Sequence, residues 1–193
     1  EYITVPCERS FIAKNDEIII THISNFRPLK RVIDVLKIFN KLRHKLNVRL
    51  IMIGDGPDKE KALKYVNKHK IIKNVVFLGN SNEIDKILCF TDLFLLPSEQ
   101  ESFGLAALEA MVHKVPVVCS DAGGLSEVVE NSVSGFLCPV GDINGMAKRS
   151  FEILSDPVIH NKFKESAFER ARRFDIKKIL PKYISVYKKA IKL

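Results

Sequence analysis

The sequence predicts an α/β fold, a doubly wound parallel sheet with helices on both faces. Three observations predict it. Short apolar runs of strand length alternate with longer stretches at helical spacing along residues 18–138. The runs themselves are rich in Ile, Val and Leu, as buried parallel strands are. Several of them end in loops rich in Gly, Ser or Asn, and in an open parallel sheet the crevice beyond the strand C-termini is where ligands sit. The chain has 193 residues, 46% of them hydrophobic and 28% charged, which fits one globular domain with a full core.

The elements follow in order. Residues 1–17 are irregular, with Pro6 and a polar turn at Lys14-Asn15-Asp16. Residues 18–23 form a β-branched strand, followed by a loop over 24–29 and a helix over 30–46 with Val32, Val35, Leu36, Phe39, Leu42 and Leu46 on one face. A strand over 48–53 ends in the turn Gly54-Asp55-Gly56-Pro57, and a charged helix spans 58–69. The strand over 75–78 stops at Gly79-Asn80. A short helix over 83–90 leads to the strand Leu93-Phe94-Leu95-Leu96. Beyond it Phe103, Ala106, Ala107, Ala110 and Met111 recur at helical spacing. A strand over 115–119, the loop Asp121-Ala122-Gly123-Gly124, a helix around 126–130 and a strand over 135–138 complete the sheet. From Asp142 on the chain is helical, with Asp142, Asp156 and Asp175 as N-caps. The last segment carries an apolar stripe of Ile176, Ile179, Leu180, Tyr183, Val186, Tyr187 and Ala190, expected to cover the sheet or a body outside this chain.

The stretch from Pro97 to Met111 carries the chemistry. A strand stops, a short polar loop brings Glu101, and a helix starts at Ser102-Phe103-Gly104. A helix N-terminus offers unpaired N–H groups to an anion. Glu101 by itself reads as an acid favoured by the helix dipole, and Glu109 by itself as an exposed helix residue. Arg27 and Lys30 stand before a helix whose first turn Pro28 suits, a setting for a phosphate or for two solvent-facing cations. Gly54-Asp55-Gly56-Pro57 lacks the third glycine of a dinucleotide fingerprint and reads first as a turn. Gly123-Gly124 lets the backbone approach a neighbour closely.

Composition narrows the classes. The formal net charge is +8, much of it on lysines of solvated faces (Lys59, Lys61, Lys64, Lys68, Lys70, Lys73). No helix-turn-helix, zinc or aromatic-basic motif accompanies it, so no nucleic-acid partner is expected, and nothing indicates membrane contact. Cys7, Cys89, Cys119 and Cys138 are scattered; Cys89 and Cys119 read as buried free thiols, which with the lack of a signal-peptide or membrane-spanning pattern points to the cytoplasm. His22, His44, His69, His113 and His160 lack metal spacing. His22 reads equally as a strand-end residue lining the crevice or as a bonded core histidine.

The run from Glu101 to Met111 resembles the E-x7-E motif of retaining glycosyltransferases of GT-B architecture, close to E-x-F-G-L-x-x-L-E-A-M with every fixed position met. The resemblance spans nearly the whole chain. It implies the C-terminal, donor-binding half of a GT-B fold, a Rossmann-like sheet over residues 18–193, with residues 1–17 as a lead-in from an N-terminal domain that holds the acceptor. It implies a UDP-sugar donor and no metal or other cofactor. Lys30 and Arg27 would hold the diphosphate and Glu101 the donor sugar. Asn25, Gly54, Gly79, Asn80, Ser81, Ser102, Phe103, Gly104 and Leu105 would line the nucleotide sugar, and Glu109 would bind the ribose. The common form has an Arg where Asn25 stands, so Asn25 shares the role given to Arg27. It usually has Pro at the position of Ser126 and Cys-Gly or a similar pair at His113-Lys114. The run His22-Ile23-Ser24-Asn25-Phe26-Arg27, with Lys30 and Arg31, resembles the N-acetylglucosaminyl L-malate synthases of bacillithiol biosynthesis, which implies UDP-N-acetylglucosamine as donor and L-malate as acceptor. The rival classes are a nucleotide-binding oxidoreductase or regulatory domain on the same sheet, a transferase of cell-surface polysaccharide or glycolipid synthesis, and a basic non-enzymatic binding module.

Overall fold

The computed structural model describes Lys14 and residues 16–191. Most of the expected lead-in, including Cys7 and Asn15, lies outside them. Six strands form one sheet: β1 (Ile18–Ile23), β2 (Val48–Ile53), β3 (Val75–Gly79), β4 (Leu93–Leu96), β5 (Val117–Ser120) and β6 (Gly135–Cys138). Every pairing is parallel, in the order β3-β2-β1-β4-β5-β6. This is the Rossmann-type order. The chain runs outward one way from β1 and the other way from β4, so the loops after these two neighbours part and leave a crevice.

The helices are α1 (Val32–Leu42), α2 (Lys59–Lys68), α3 (Ile84–Leu88), α4 (Leu105–Val112), α5 (Leu125–Val128), α6 (Ile143–Leu154), α7 (Pro157–Ala171) and α8 (Ile176–Ile191). Strand side chains alternate between two cores. Ile20, Leu50, Met52, Leu93, Leu95 and Val118 face α1, α2 and α6. Phe94, Leu96, Val117 and Cys119 face α4, α5 and α7, and Ile19, Ile51 and Ile53 meet Ile87 of α3. With both faces covered the strands need no polar alternation, which is why they read as continuous apolar runs.

Two boundaries depart from expectation for a clear physical reason, and the cover of the last helix is decided between the two that were expected. The helix expected over 30–46 is a 3-10 turn, Pro28–Lys30, then α1, because Arg31 takes a left-handed conformation (φ 51°) between them; past Leu42 the chain turns. The strand expected from Val115 begins at Val117, since Pro116 has no N–H to pair and Lys114 turns at φ 60°. The apolar stripe of α8 does not cover the sheet: none of that helix is buried, and Tyr183 and Tyr187 are 59% and 65% exposed.

The three expected N-caps are present. Asp142 accepts from Gly145 N–H at 2.8 Å, Asp156 from Val158 N–H at 2.7 Å and Asp175 from Lys177 N–H at 2.8 Å, each worth about 1 kcal/mol. Among the described residues no helix is long and apolar enough to cross a membrane. Cys119 and Cys138 are buried free thiols, and burial pushes both thiol pKa values up. Cys89 corrects the sequence reading: it is partly buried and disulfide-bonded, which removes one support for a reducing compartment.

Candidate functional site

The floor of the crevice is the C-terminal end of β1. His22 is fully buried there, so it is a bonded core histidine and not a lining residue. Its Nδ1 lies 2.8 Å from Leu95 O of β4 and its Nε2 lies 2.8 Å from Ser24 Oγ. A carbonyl only accepts, so Nδ1 carries the proton, and the neutral ring then accepts at Nε2 from the Ser24 hydroxyl. Ser24 Oγ also accepts from Phe26 N–H at 3.3 Å. Burial, with a smaller contribution from the Lys30 charge, lowers the His22 pKa to about 4, against the Leu95 hydrogen bond. The chain of bonds ties β1 and β4 to the start of the first loop.

That loop is held in an unusual shape. Phe26 is buried at φ 40° and Arg31 stands at φ 51°. Both are sparsely populated conformations that persist where surroundings enforce them. Arg31 Nε donates to Asp34 at 2.7 Å, and its guanidinium lies 3.7 Å from Glu99. Glu99 N–H donates to Leu29 O at 2.7 Å, which joins the loops after β1 and β4 directly. The Gly54 turn packs beneath: a Cβ there would stand 1.7 Å from Ser24 O. The glycine of the Gly-Asp-Gly-Pro turn therefore serves contact with the neighbouring loop.

The loop after β4 is pinned from its other side. Gly124 N–H donates to Glu101 O at 3.0 Å, and a Cβ on Gly123 would stand 1.9 Å from the same oxygen. So Gly123-Gly124 makes its close approach to the backbone of Glu101. The result places Lys30 Nζ 2.5 Å from Glu101 Oε2, both side chains about 15% exposed (16% and 15%). These residues are 71 positions apart, and the switch point of the sheet brings them together. Next to them α4 begins at Gly104 (φ 95°) with no side-chain cap. The N–H groups of Phe103, Gly104 and Leu105 find no backbone acceptor among the described residues. Open donors and a shielded cation at one edge suit a diphosphate.

Other predicted residues lie around this edge in varied states. Arg27 and Asn25 are exposed, with no side-chain partner among the described residues. Ser102 is exposed, Phe103 packs edge-on to Phe174 at 5.8 Å, and Leu105 is 64% exposed. Gly79 O accepts from Gly54 N–H at 2.7 Å, Asn80 is exposed, and Ser81 Oγ accepts from Glu83 N–H at 3.1 Å. Glu109 does not touch the Lys30–Glu101 pair. Desolvation raises its carboxyl pKa, Asp85 adds to the rise and His113 opposes it, and its carboxylate has no hydrogen-bond partner among the described residues. His113 Nε2 lies 2.9 Å from Asp85.

Sequence reading missed Arg31 and Glu99 as the link between the loops, and the buried Ser98, whose Oγ has no hydrogen-bond partner among the described residues. The Arg31–Glu99 pair is a charge match across 68 positions that no local pattern carries. A concavity of about 670 Å³ beside α8 is lined, among the described residues, by that helix alone, Lys177, Leu180, Pro181, Ile184 and Lys188 included, and these offer no convergent groups.

The family described as "Glycosyl transferases group 1" matches residues 8–170. N-acetyl-alpha-D-glucosaminyl L-malate synthase of Bacillus anthracis is 39% identical over 177 residues, 91% of this chain and 46% of that protein. The chain thus spans about half the length of this relative. A structure of Staphylococcus aureus TarM in a complex with UDP and alpha-GlcNAc-glycerol superposes with a TM-score of 0.82 at 27% identity, covering 95% of this chain and 37% of that one. Anabaena HepE in complex with UDP gives 0.82 at 25% identity, covering 90% and 49%.

Proposed function

The chain belongs to the group 1 glycosyl transferases, and from that premise we propose that it is the donor-binding half of a retaining GT-B enzyme that moves N-acetylglucosamine from UDP-N-acetylglucosamine to L-malate. In this reading residues 18–193 hold the donor, residues 1–17 lead in from an N-terminal domain, and that domain holds the acceptor in a cytoplasmic enzyme. The observation that carries it is the Lys30–Glu101 pair at the switch point, beside the uncapped N-terminus of α4.

The chemistry follows from charge. As the glycosyl bond breaks, an oxocarbenium-like centre forms on the sugar and negative charge grows on the departing diphosphate. Preorganised donors aimed at that charge lower the barrier. Lys30 and the N–H groups of Phe103, Gly104 and Leu105 supply them, with exposed Arg27 and Asn25 able to close over the phosphates. Glu101 accepts hydrogen bonds from sugar hydroxyls and Glu109 from the ribose, the natural task of an acceptor-only carboxylate. Backbone at Gly54, Gly79, Asn80 and Ser81 faces the base, Ser102 borders the sugar, and no metal enters the scheme. A second reading, a transferase of cell-surface polysaccharide or glycolipid synthesis, is supported by 29% identity over 174 residues to Poly(ribitol-phosphate) alpha-N-acetylglucosaminyltransferase of Staphylococcus aureus, whose name gives a polymer as acceptor. The higher identity to the L-malate synthase supports the first.

A thermal-shift screen of nucleotides tests the reading, because a ligand of the native state alone raises apparent stability. UDP and UDP-N-acetylglucosamine at about 100-fold above Kd are expected to raise the melting temperature by roughly 5–10 °C, and NAD and ADP are expected to leave it unchanged. Stabilisation by NAD without stabilisation by UDP ligands would return the chain to the oxidoreductase class.

A further inference from the structure

We propose that Glu101 makes this site select a nucleotide sugar over the bare nucleoside diphosphate, by competing with the diphosphate for Lys30; the inference rests on the reading of Lys30 as a diphosphate ligand. Lys30 Nζ is 2.5 Å from Glu101 Oε2, and that carboxylate is the one acceptor Lys30 has among the described residues. Glu101 has no second side-chain partner among them either. The nearby Arg31 is engaged with Asp34 and Glu99 and offers no replacement cation. The pair is about 15% exposed (16% and 15%), so water screens it only in part.

An incoming diphosphate must therefore draw Lys30 from Glu101. With UDP alone, the carboxylate is left without its cation and close to new negative charge, a costly arrangement at a shielded position. With a nucleotide sugar, the sugar hydroxyls donate to the carboxylate and take the place of Lys30. Glu101 is compensated only while the sugar is present. Once the sugar has gone to an acceptor, Glu101 regains Lys30 and the nucleoside diphosphate is loosened. The group that holds the donor sugar thus also discriminates against the product.

Calorimetric titration of the chain, Glu101→Gln and Lys30→Ala with UDP and UDP-N-acetylglucosamine tests this. Glu101→Gln is expected to bind UDP about threefold to tenfold more tightly than the parent, with no matching gain for UDP-N-acetylglucosamine. Glu101→Ala, which offers Lys30 no amide oxygen, is expected to move the same way, and titration stoichiometry reports the folded fraction of each variant. Unchanged or weaker UDP binding in both Glu101 variants, or equal gains for both ligands, overturns the proposal. If Lys30→Ala weakens UDP while the Glu101 variants fail to strengthen it, the competition alone is wrong. If Lys30→Ala binds UDP like the parent, or none of the proteins binds it, the reading of Lys30 falls and the inference with it.

Discussion

His22 shows how a single residue can set both a loop and a pH response. Its folded pKa is about 4 against an unfolded value near 6.5. A depressed pKa means that the unfolded chain takes up the proton first as the pH falls. The stabilisation is therefore whole above about pH 6.5 and is lost progressively down to about pH 4. Linkage gives a loss of about 2 kcal/mol between about pH 7.5 and about pH 5. Urea unfolding at those two values should show this fall in the parent chain. A His22→Gln variant should be weaker at the higher pH and lack this part of the slope. An equal slope in both proteins would mean that the ring titrates normally. The residue type and its place at a strand end were legible in the sequence, but its burial was not. Its partner Leu95 lies 73 positions away, and only the β1–β4 pairing brings the two together. Lys30 and Glu101 could be singled out as candidates for a different reason: each sits in a local motif. Their pairing depends on the same long-range neighbourhood and shows only in three dimensions.

At the scale of elements, the strands were legible because burial on both faces leaves an unbroken apolar record, and β1, β2, β4 and β6 begin and end where the composition changes. The start of α1 was not. Lys30 and Arg31 before it are good helix formers, and the left-handed Arg31 that breaks the run is held by Asp34 and the crossing loop. Glycines between elements divide into two kinds that look alike in the sequence. Gly54 has φ 122° and no room for a Cβ, which would meet Ser24 O at 1.7 Å; Gly79 has φ 68° and nothing within 4 Å. Gly79→Ala should then cost only the left-handed penalty, about 1–2 kcal/mol. Gly54→Ala must also push the first loop away, adding roughly 1–3 kcal/mol and weakening UDP binding as Lys30 shifts. Denaturant midpoints of the two variants check the order. Equal costs would show that the Gly54 turn yields without disturbing its neighbour.

The whole molecule places a cation, a carboxylate and open helix donors at one edge of a sheet whose strand order reverses there. The net charge of +8 sits mostly elsewhere, on exposed helix faces, so bulk composition said little about this edge. Helix α8 is the other feature that composition left open. Its apolar stripe was plain in the sequence, yet what the stripe would cover was not, and the described chain leaves it uncovered. The site itself stands or falls with Lys30. The most direct measurement is the affinity for UDP and for uridine of the parent chain and of Lys30→Ala, by calorimetry at one salt concentration. Loss of a charge-assisted hydrogen bond to the diphosphate is predicted to weaken UDP by about 1.5–3 kcal/mol and to leave uridine binding as it was. An equal loss for both ligands, or no loss for UDP, would contradict a diphosphate at Lys30 and make the residue a structural one.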